Sequence, residues 1–233
     1  MFDALLNFLG FGPDGYGNLL VRGMVVTMIT ATTACVGSLL LGAILASVAL
    51  SKHVAIRLIW KIYRSIFSSI PTLLVLFVIY FGASAILSAV AGWDVELSAM
   101  TVGILSLVLV YSTFMAEVFR GGVLAVARGQ HEACMALGIG FVPSWGSVIL
   151  PQVIRYSLPG VINNWVILLK DTALVSVIGV ADVVRMGQVA GNATGNQFGF
   201  LTIVGAFFVV FVALSLAMIF MFNRRHGRIY KMR

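Results

Sequence analysis

Apolar residues in this chain come in long, nearly unbroken runs, with polar residues gathered into short stretches between them. A helix needs about 20 mostly apolar residues to cross a bilayer's hydrocarbon core. Five runs meet that length, at about 22–50, 66–90, 98–119, 159–180 and 199–222. The pattern predicts an all-α integral membrane protein with about five transmembrane helices. Ahead of the first run, residues 1–21 form a separate N-terminal segment on the outer side. Its apolar part before Gly10 is too short to cross and suits the interface. The run at 22–50 is rich in Thr, Ser, Ala and Gly; such residues let helices approach closely, so this helix is expected to pack on protein.

The longest polar interruption is residues 121–160, and it is expected to fold on its own terms. From Val123 to Leu137 the residues favour a helix interrupted only by Gly129, with Val123, Val126, Ala127, Ala133, Ala136 and Leu137 on a soft apolar face. Gly138 and Gly140 terminate it. Pro143 and Ser144 can open a second short helix that carries Trp145, runs into Val148-Ile149-Leu150 and stops at Pro151. By periodicity alone this is an amphipathic hairpin, and a plain connector between two spans accounts for it.

Composition agrees with the membrane reading: the chain is 61% hydrophobic, 10% charged and has a mean hydropathy of +1.06. Soluble domains carry roughly a quarter charged residues. The N-terminus lacks the basic leader of a secretory signal and carries Asp3 and Asp14 instead. A net charge of +7 raises the question of nucleic acid, but in a membrane protein a basic excess is normally topological. Lys52, Arg57, Lys61, Arg64, Arg120, Arg128, Arg155 and the cations of the tail at 223–233 all fall on one side of a five-span topology. Positive loops stay in the cytoplasm, so the N-terminus is expected outside, the C-terminus inside, and the 121–160 module within reach of a soluble partner. Cys35 and Cys134 are too far apart in the chain for a metal or disulfide pattern and read as small packing residues.

The run Glu132-Ala133-Cys134, three residues, Gly138, nine residues, Val148-Ile149-Leu150-Pro151 resembles the EAA signature of ABC-importer permeases, E-A-A, three residues, G, nine residues, I-x-L-P. The flanking Tyr156-Ser157-Leu158-Pro159-Gly160, Asn163-Asn164-Trp165 and Lys170-Asp171-Thr172-Ala173-Leu174-Val175-Ser176 are similar to the polar amino-acid branch, with its histidine/lysine/arginine/ornithine and opine permeases. The likeness runs from about residue 23 to 222. It implies the type I importer permease fold, with the EAA loop at about 121–160 docking into a cytoplasmic ATPase dimer. Glu132, Ala133 and Gly138 then become the coupling positions. It further implies an external or periplasmic solute-binding protein, a second related permease subunit or a second copy, and a place in the bacterial inner membrane. The chain departs from the family pattern in two places. Cys134 and Val148 are small, conservative changes. Where relatives commonly read R-G-T-P, this chain reads Ser68-Ser69-Ile70-Pro71, with Arg64 one turn earlier.

Lys170 and Asp171 lie 11–12 residues into the expected fourth span, roughly 17 Å deep at 1.5 Å per residue. Intramembrane charges are expensive and often mark a pathway. A wet, path-lining position for cationic amino acids competes here with a place beside a dimer seam, or with a span that starts later and exposes them. Glu117 reads as interfacial. No GxxxxGK[ST] motif occurs, so the chain itself binds no cofactor and ATP would be used by the partner. The chain is read as a transport subunit and not an enzyme, because His53, His131 and His226 are scattered and no catalytic or metal-ligating set is visible. A self-contained ion-coupled carrier is the competing reading; such carriers often show internal repeats, and none is evident here.

Overall fold

The computed structural model describes residues 10, 15–91 and 98–226. Residues 92–97 between the second and third apolar runs, most of the N-terminal segment and the tail beyond His226 lie outside the described residues. The described chain is helical: α1 (Gly17–Ala49), α2 (Val54–Ser69), α3 (Thr72–Ala91), α4 (Ala99–Ala125), α5 (Arg128–Ala136), α6 (Phe141–Pro143), a π-helical turn (Ser144–Ile149), α7 (Leu150–Asp171), a 3-10 segment (Thr172–Ile178), α8 (Val183–Thr194) and α9 (Gln197–His226). Among the described residues, four helical stretches are long and apolar enough to cross a membrane, or five if the bent pair Val54–Ser69 and Thr72–Gly82 counts as one span.

Two boundaries differ from expectation. Residues 51–65, which separate the first two apolar runs and carry Lys52, Arg57, Lys61 and Arg64, are mostly helical and form most of α2. Pro71 cannot donate a backbone hydrogen bond and pushes Ile70 into extended backbone (ψ 131°), so the chain turns 103° there before α3 begins. Pro151 does not stop its helix either. The preceding turn widens instead: the Leu150 N–H reaches back to the Trp145 carbonyl, which gives the π-helical turn. That widening accommodates a proline whose ring would clash with the carbonyl four residues back. The helix then continues to Asp171, where a span reaching 180 was expected.

The chain forms two compact units, residues 32–168 and residues 1–31 with 169–233. In the first, small residues set the spacing. A Cβ built on Gly37 would lie 2.7 Å from Val108, on Gly42 2.6 Å from Met115, and on Gly160 2.7 Å from Val118. Helices this close forfeit nothing to voids, which is the means of association where lipid offers no hydrophobic drive. Tyr63 on α2 donates to the Leu109 carbonyl at 2.9 Å and shares a 2.8 Å hydrogen bond with Ser112 on α4. Ser98 caps α4 by accepting from the Thr101 N–H at 3.2 Å.

In the second unit, Leu20, Val183, Ala190, Phe200 and Val204 form the core, with Tyr16 edge-on to Phe200 at 5.9 Å. Residues 181–198, between the fourth and fifth apolar runs, are mostly α8, packed on that core. Its Gly187 and Gly191 leave room for Val204 and Gln197, whose atoms lie 2.6 and 2.7 Å from ideal Cβ positions. Asp182 caps α8, accepting from the Arg185 N–H at 2.9 Å, and the Val183 N–H donates to Thr27 on α1 at 3.1 Å.

Candidate functional site

The 121–160 module begins with a break. Val126 and Ala127 adopt extended backbone (ψ 126° and 134°), separating α4 from α5. The break falls there because the Val126 side chain leaves the helix line to join Ile149 and Val153 in a buried cluster. Gly129, expected to interrupt the helix, sits inside the first turn of α5. A glycine in a helix interior only weakens it.

α5 ends at the glycine that the motif spacing singles out. Gly138 has φ +68°, in the left-handed region. Its N–H donates to the Met135 carbonyl at 3.0 Å, and the Ile139 N–H reaches back to the Cys134 carbonyl at 2.9 Å. These two bonds are the Schellman closure, which needs a left-handed residue at that one position. The interval between Cys134 and Gly138 is therefore set by helix-capping geometry. Gly140 then leads into α6 and the π-helical turn.

Side chains hold this bend against the start of α7. Cys134 is buried, so the motif's third position is the one facing inward and must be small. Gln152 donates to the side chain of Gln130 at 3.2 Å and to the Val148 carbonyl at 2.9 Å. The Trp145 ring stands 6.1 Å from both His131 and Phe141. Glu132, Ala133 and Gly138 are exposed, within two turns of one another. Among the described residues the Glu132 carboxylate has no hydrogen-bond or ion-pair partner.

Sequence reasoning missed the apolar tip of this bend. Leu137, Phe141 and Val142 are 76%, 77% and 78% exposed, and Met135 is 70% exposed. Contiguous exposed apolar surface of this kind marks an interaction site. Leu137 is one of the residues of the soft apolar face expected over 123–137, and it is exposed here; the signal for this is its position just before Gly138, where the helix ends.

Lys170 and Asp171 belong to a different part of the chain. They occupy the last turn of α7, not its middle, and fall in the other compact unit. Lys170 is exposed and Asp171 half-buried, just where the helix tightens into the 3-10 segment. Glu117, near the end of α4, is held by two cations: Arg64 at 3.0 Å and Arg120 at 2.8 Å. Among the described residues no group of three His, Cys, Asp or Glu side chains is placed to hold a metal ion.

Comparison with known proteins places this geometry in context. Residues 18–228 match the family model described as binding-protein-dependent transport system inner membrane component. The chain is 36% identical over 215 residues to the octopine transport system permease protein OccQ of Rhizobium meliloti, covering 90% of this chain and 91% of that one. It is 32% identical over 217 residues to the histidine/lysine/arginine/ornithine transport system permease protein HisQ of Salmonella typhimurium, covering 91% and 95%. Among solved structures it is similar to an amino acid ABC transporter crystallised with histidines, at TM-score 0.78 and 29% identity over 90% of this chain and 95% of that one. An inward-facing MetNI methionine ABC transporter shares the fold at TM-score 0.68 and 18% identity, over 88% and 94%.

Proposed function

The chain belongs to the family of binding-protein-dependent transport system inner membrane components, and from that premise we propose that it is the permease subunit of an ATP-driven importer of basic amino acids or opines. The observation that carries the reading is the bend at Gly138, which presents the free Glu132 carboxylate, Ala133 and an apolar tip on one short lever. A lever of that chemistry suits docking: small residues allow close approach, the carboxylate meets a cation, and the apolar tip supplies buried area. Its partner in this proposal is a cytoplasmic ATPase dimer. ATP is bound and hydrolysed there, and closure of the dimer pulls on the lever and rocks the spans.

The basic-residue distribution supports an inner-membrane topology with the N-terminus outside and the C-terminus in the cytoplasm. A solute-binding protein delivers substrate to the outer face, and a second permease, related or identical, completes the path. The likeness to OccQ and HisQ supports a cationic amino acid or opine as cargo. Lys170 and Asp171 are the path residues of this reading, with Asp171 supplying negative potential for a cationic substrate. A self-contained ion-coupled carrier has no support from these relatives.

The test is reconstitution of the full importer in proteoliposomes, with Glu132→Lys and Asp171→Lys variants. Glu132→Lys should lose the co-purifying ATPase and ATP-driven uptake together. Asp171→Lys should keep the ATPase bound yet lose arginine uptake. Full uptake by the Glu132→Lys importer would refute the docking role, and full uptake by the Asp171→Lys importer the path role.

A further inference from the structure

We propose that the cationic cleft between α2 and α4 binds the phosphate of an anionic phospholipid, whose acyl chains run along the exposed aliphatic face of α2. This goes beyond the transport reading and depends on neither the cargo nor the ATPase.

α2 has 16 residues, about 24 Å of helix, which is too short to cross a hydrocarbon core of about 30 Å. It is also turned by 103° from α3. Its residues divide into three faces. Trp60, Tyr63 and Phe67 point inward: Trp60 is only 5% exposed, Tyr63 bonds to α4, and the Tyr63 and Phe67 rings lie 4.6 Å apart. Leu58, Ile59, Ile62 and Ile66 form an aliphatic face that no described residue covers, each close to half exposed or more. Arg57, Lys61 and Arg64, at helical spacing i, i+4 and i+7, form the third face. A short helix with an aliphatic face beside a cationic one lies in the plane of the membrane interface.

The cationic face closes over a cleft of about 230 Å³ lined by Arg57, Lys61, Arg64, Glu117 and Arg120. Four cations there meet a single carboxylate. Glu117 is already engaged by Arg64 at 3.0 Å and Arg120 at 2.8 Å. The side chains of Arg57 and Lys61 therefore have no carboxylate partner among the described residues. Their uncompensated charge faces a recess sized for a small anion, and guanidinium groups match phosphate oxygens in pairs. The neighbouring aliphatic face selects among sources of that anion. A soluble acidic protein or free phosphate leaves four large aliphatic side chains in water, whereas a phospholipid covers both faces at once. Juxtamembrane cations of this kind favour anionic lipid.

The purified full-length chain in detergent, titrated with phosphatidylglycerol, phosphatidylcholine and glycerol 3-phosphate and read by native mass spectrometry, tests the proposal. Wild type should retain phosphatidylglycerol at least tenfold more tightly than phosphatidylcholine. Arg57→Gln with Lys61→Gln should weaken phosphatidylglycerol roughly 25-fold, at about fivefold per cation. Arg57→Lys with Lys61→Arg should restore most of it, and Arg155→Gln, on the exposed side of α7, should leave it unchanged. Two results would overturn the proposal: unchanged phosphatidylglycerol retention after charge removal, or retention of glycerol 3-phosphate at the same concentration. Because lipid retention is read without substrate or ATP, its failure is distinguishable from failure of the transport reading.

Discussion

Replacing Gly138 by alanine isolates backbone conformation from packing. An ideal Cβ on Gly138 meets no atom within 4 Å, so the substitution creates no clash. Its φ of +68° is the whole difficulty. Holding a non-glycine residue in the left-handed region costs about 1–2 kcal/mol. Against that, alanine narrows the unfolded ensemble and returns about 0.4–1 kcal/mol. The net loss is about 1 kcal/mol, or roughly fivefold in the population of the closed bend. Gly129→Ala is the matched control: it too meets nothing within 4 Å, but it lies inside α5, where alanine should stabilise by about 0.5–1 kcal/mol. Asparagine tolerates left-handed backbone better than alanine, so Gly138→Asn should fall between wild type and Gly138→Ala. The assay is ATP-driven uptake per ATP hydrolysed in proteoliposomes, with ligand binding by the solute-binding protein measured separately. Gly138→Ala should lower the uptake-to-hydrolysis ratio severalfold and leave ligand binding alone; Gly129→Ala should change neither. Equal ratios in the two alanine variants would refute the claim that the Schellman bend carries the coupling.

Two further predictions address stability. Asp182 is fully buried, and its second carboxylate oxygen has no hydrogen-bond partner among the described residues. Burial pushes its pKa up to about 6, although the backbone N–H of Arg185 pulls the other way. The folded chain therefore holds this proton more tightly than the unfolded one, so the group's contribution is most favourable below about pH 4 and is lost as pH rises through 6. That loss is on the order of 3 kcal/mol. Asp182→Asn keeps a capping side chain and should flatten the drop in melting temperature between pH 5 and pH 8 in detergent; an undiminished drop would place the titration elsewhere. For Gly122, a Cβ would overlap the Ser157 hydroxyl and lie 3.1 Å from the Val153 carbonyl, while Gly121 next to it faces open space. Gly122→Ala should lower the melting temperature by an amount corresponding to about 1–3 kcal/mol, Gly121→Ala should not, and equal melting temperatures would show that α4 and α7 do not pack as described.

Long apolar runs and the Glu132-to-Gly138 interval were legible in the sequence because each reports a local requirement: hydrocarbon thickness in one case, a left-handed cap in the other. Boundaries that depend on neighbours were not. Val126 breaks the helix because Ile149 and Val153 receive its side chain, and nothing in the run around it marks that event. Pro151 reads as a helix stop on propensity, yet a single widened turn absorbs it. The expected depth of Lys170 and Asp171 counts from a span over 159–180, whereas α7 runs from Leu150 to Asp171, so both residues stand at its end.

Glu117 shows the same limit in a charge. Alone in the sequence, a carboxylate at the end of an apolar run is only an interfacial residue. In the fold it faces Arg64, and Ser68 turns its hydroxyl back to the Arg64 carbonyl at 2.6 Å. The cation that engages Glu117 from α2 therefore comes from one helical turn before Ser68. Because Glu117 is shared by Arg64 and Arg120, the charge it neutralises is theirs, and the excess is left with Arg57 and Lys61. An arginine at position 68 would add one more cation to the face that carries Arg57, Lys61 and Arg64, against the same single carboxylate. With serine there, that further self-repulsion is absent.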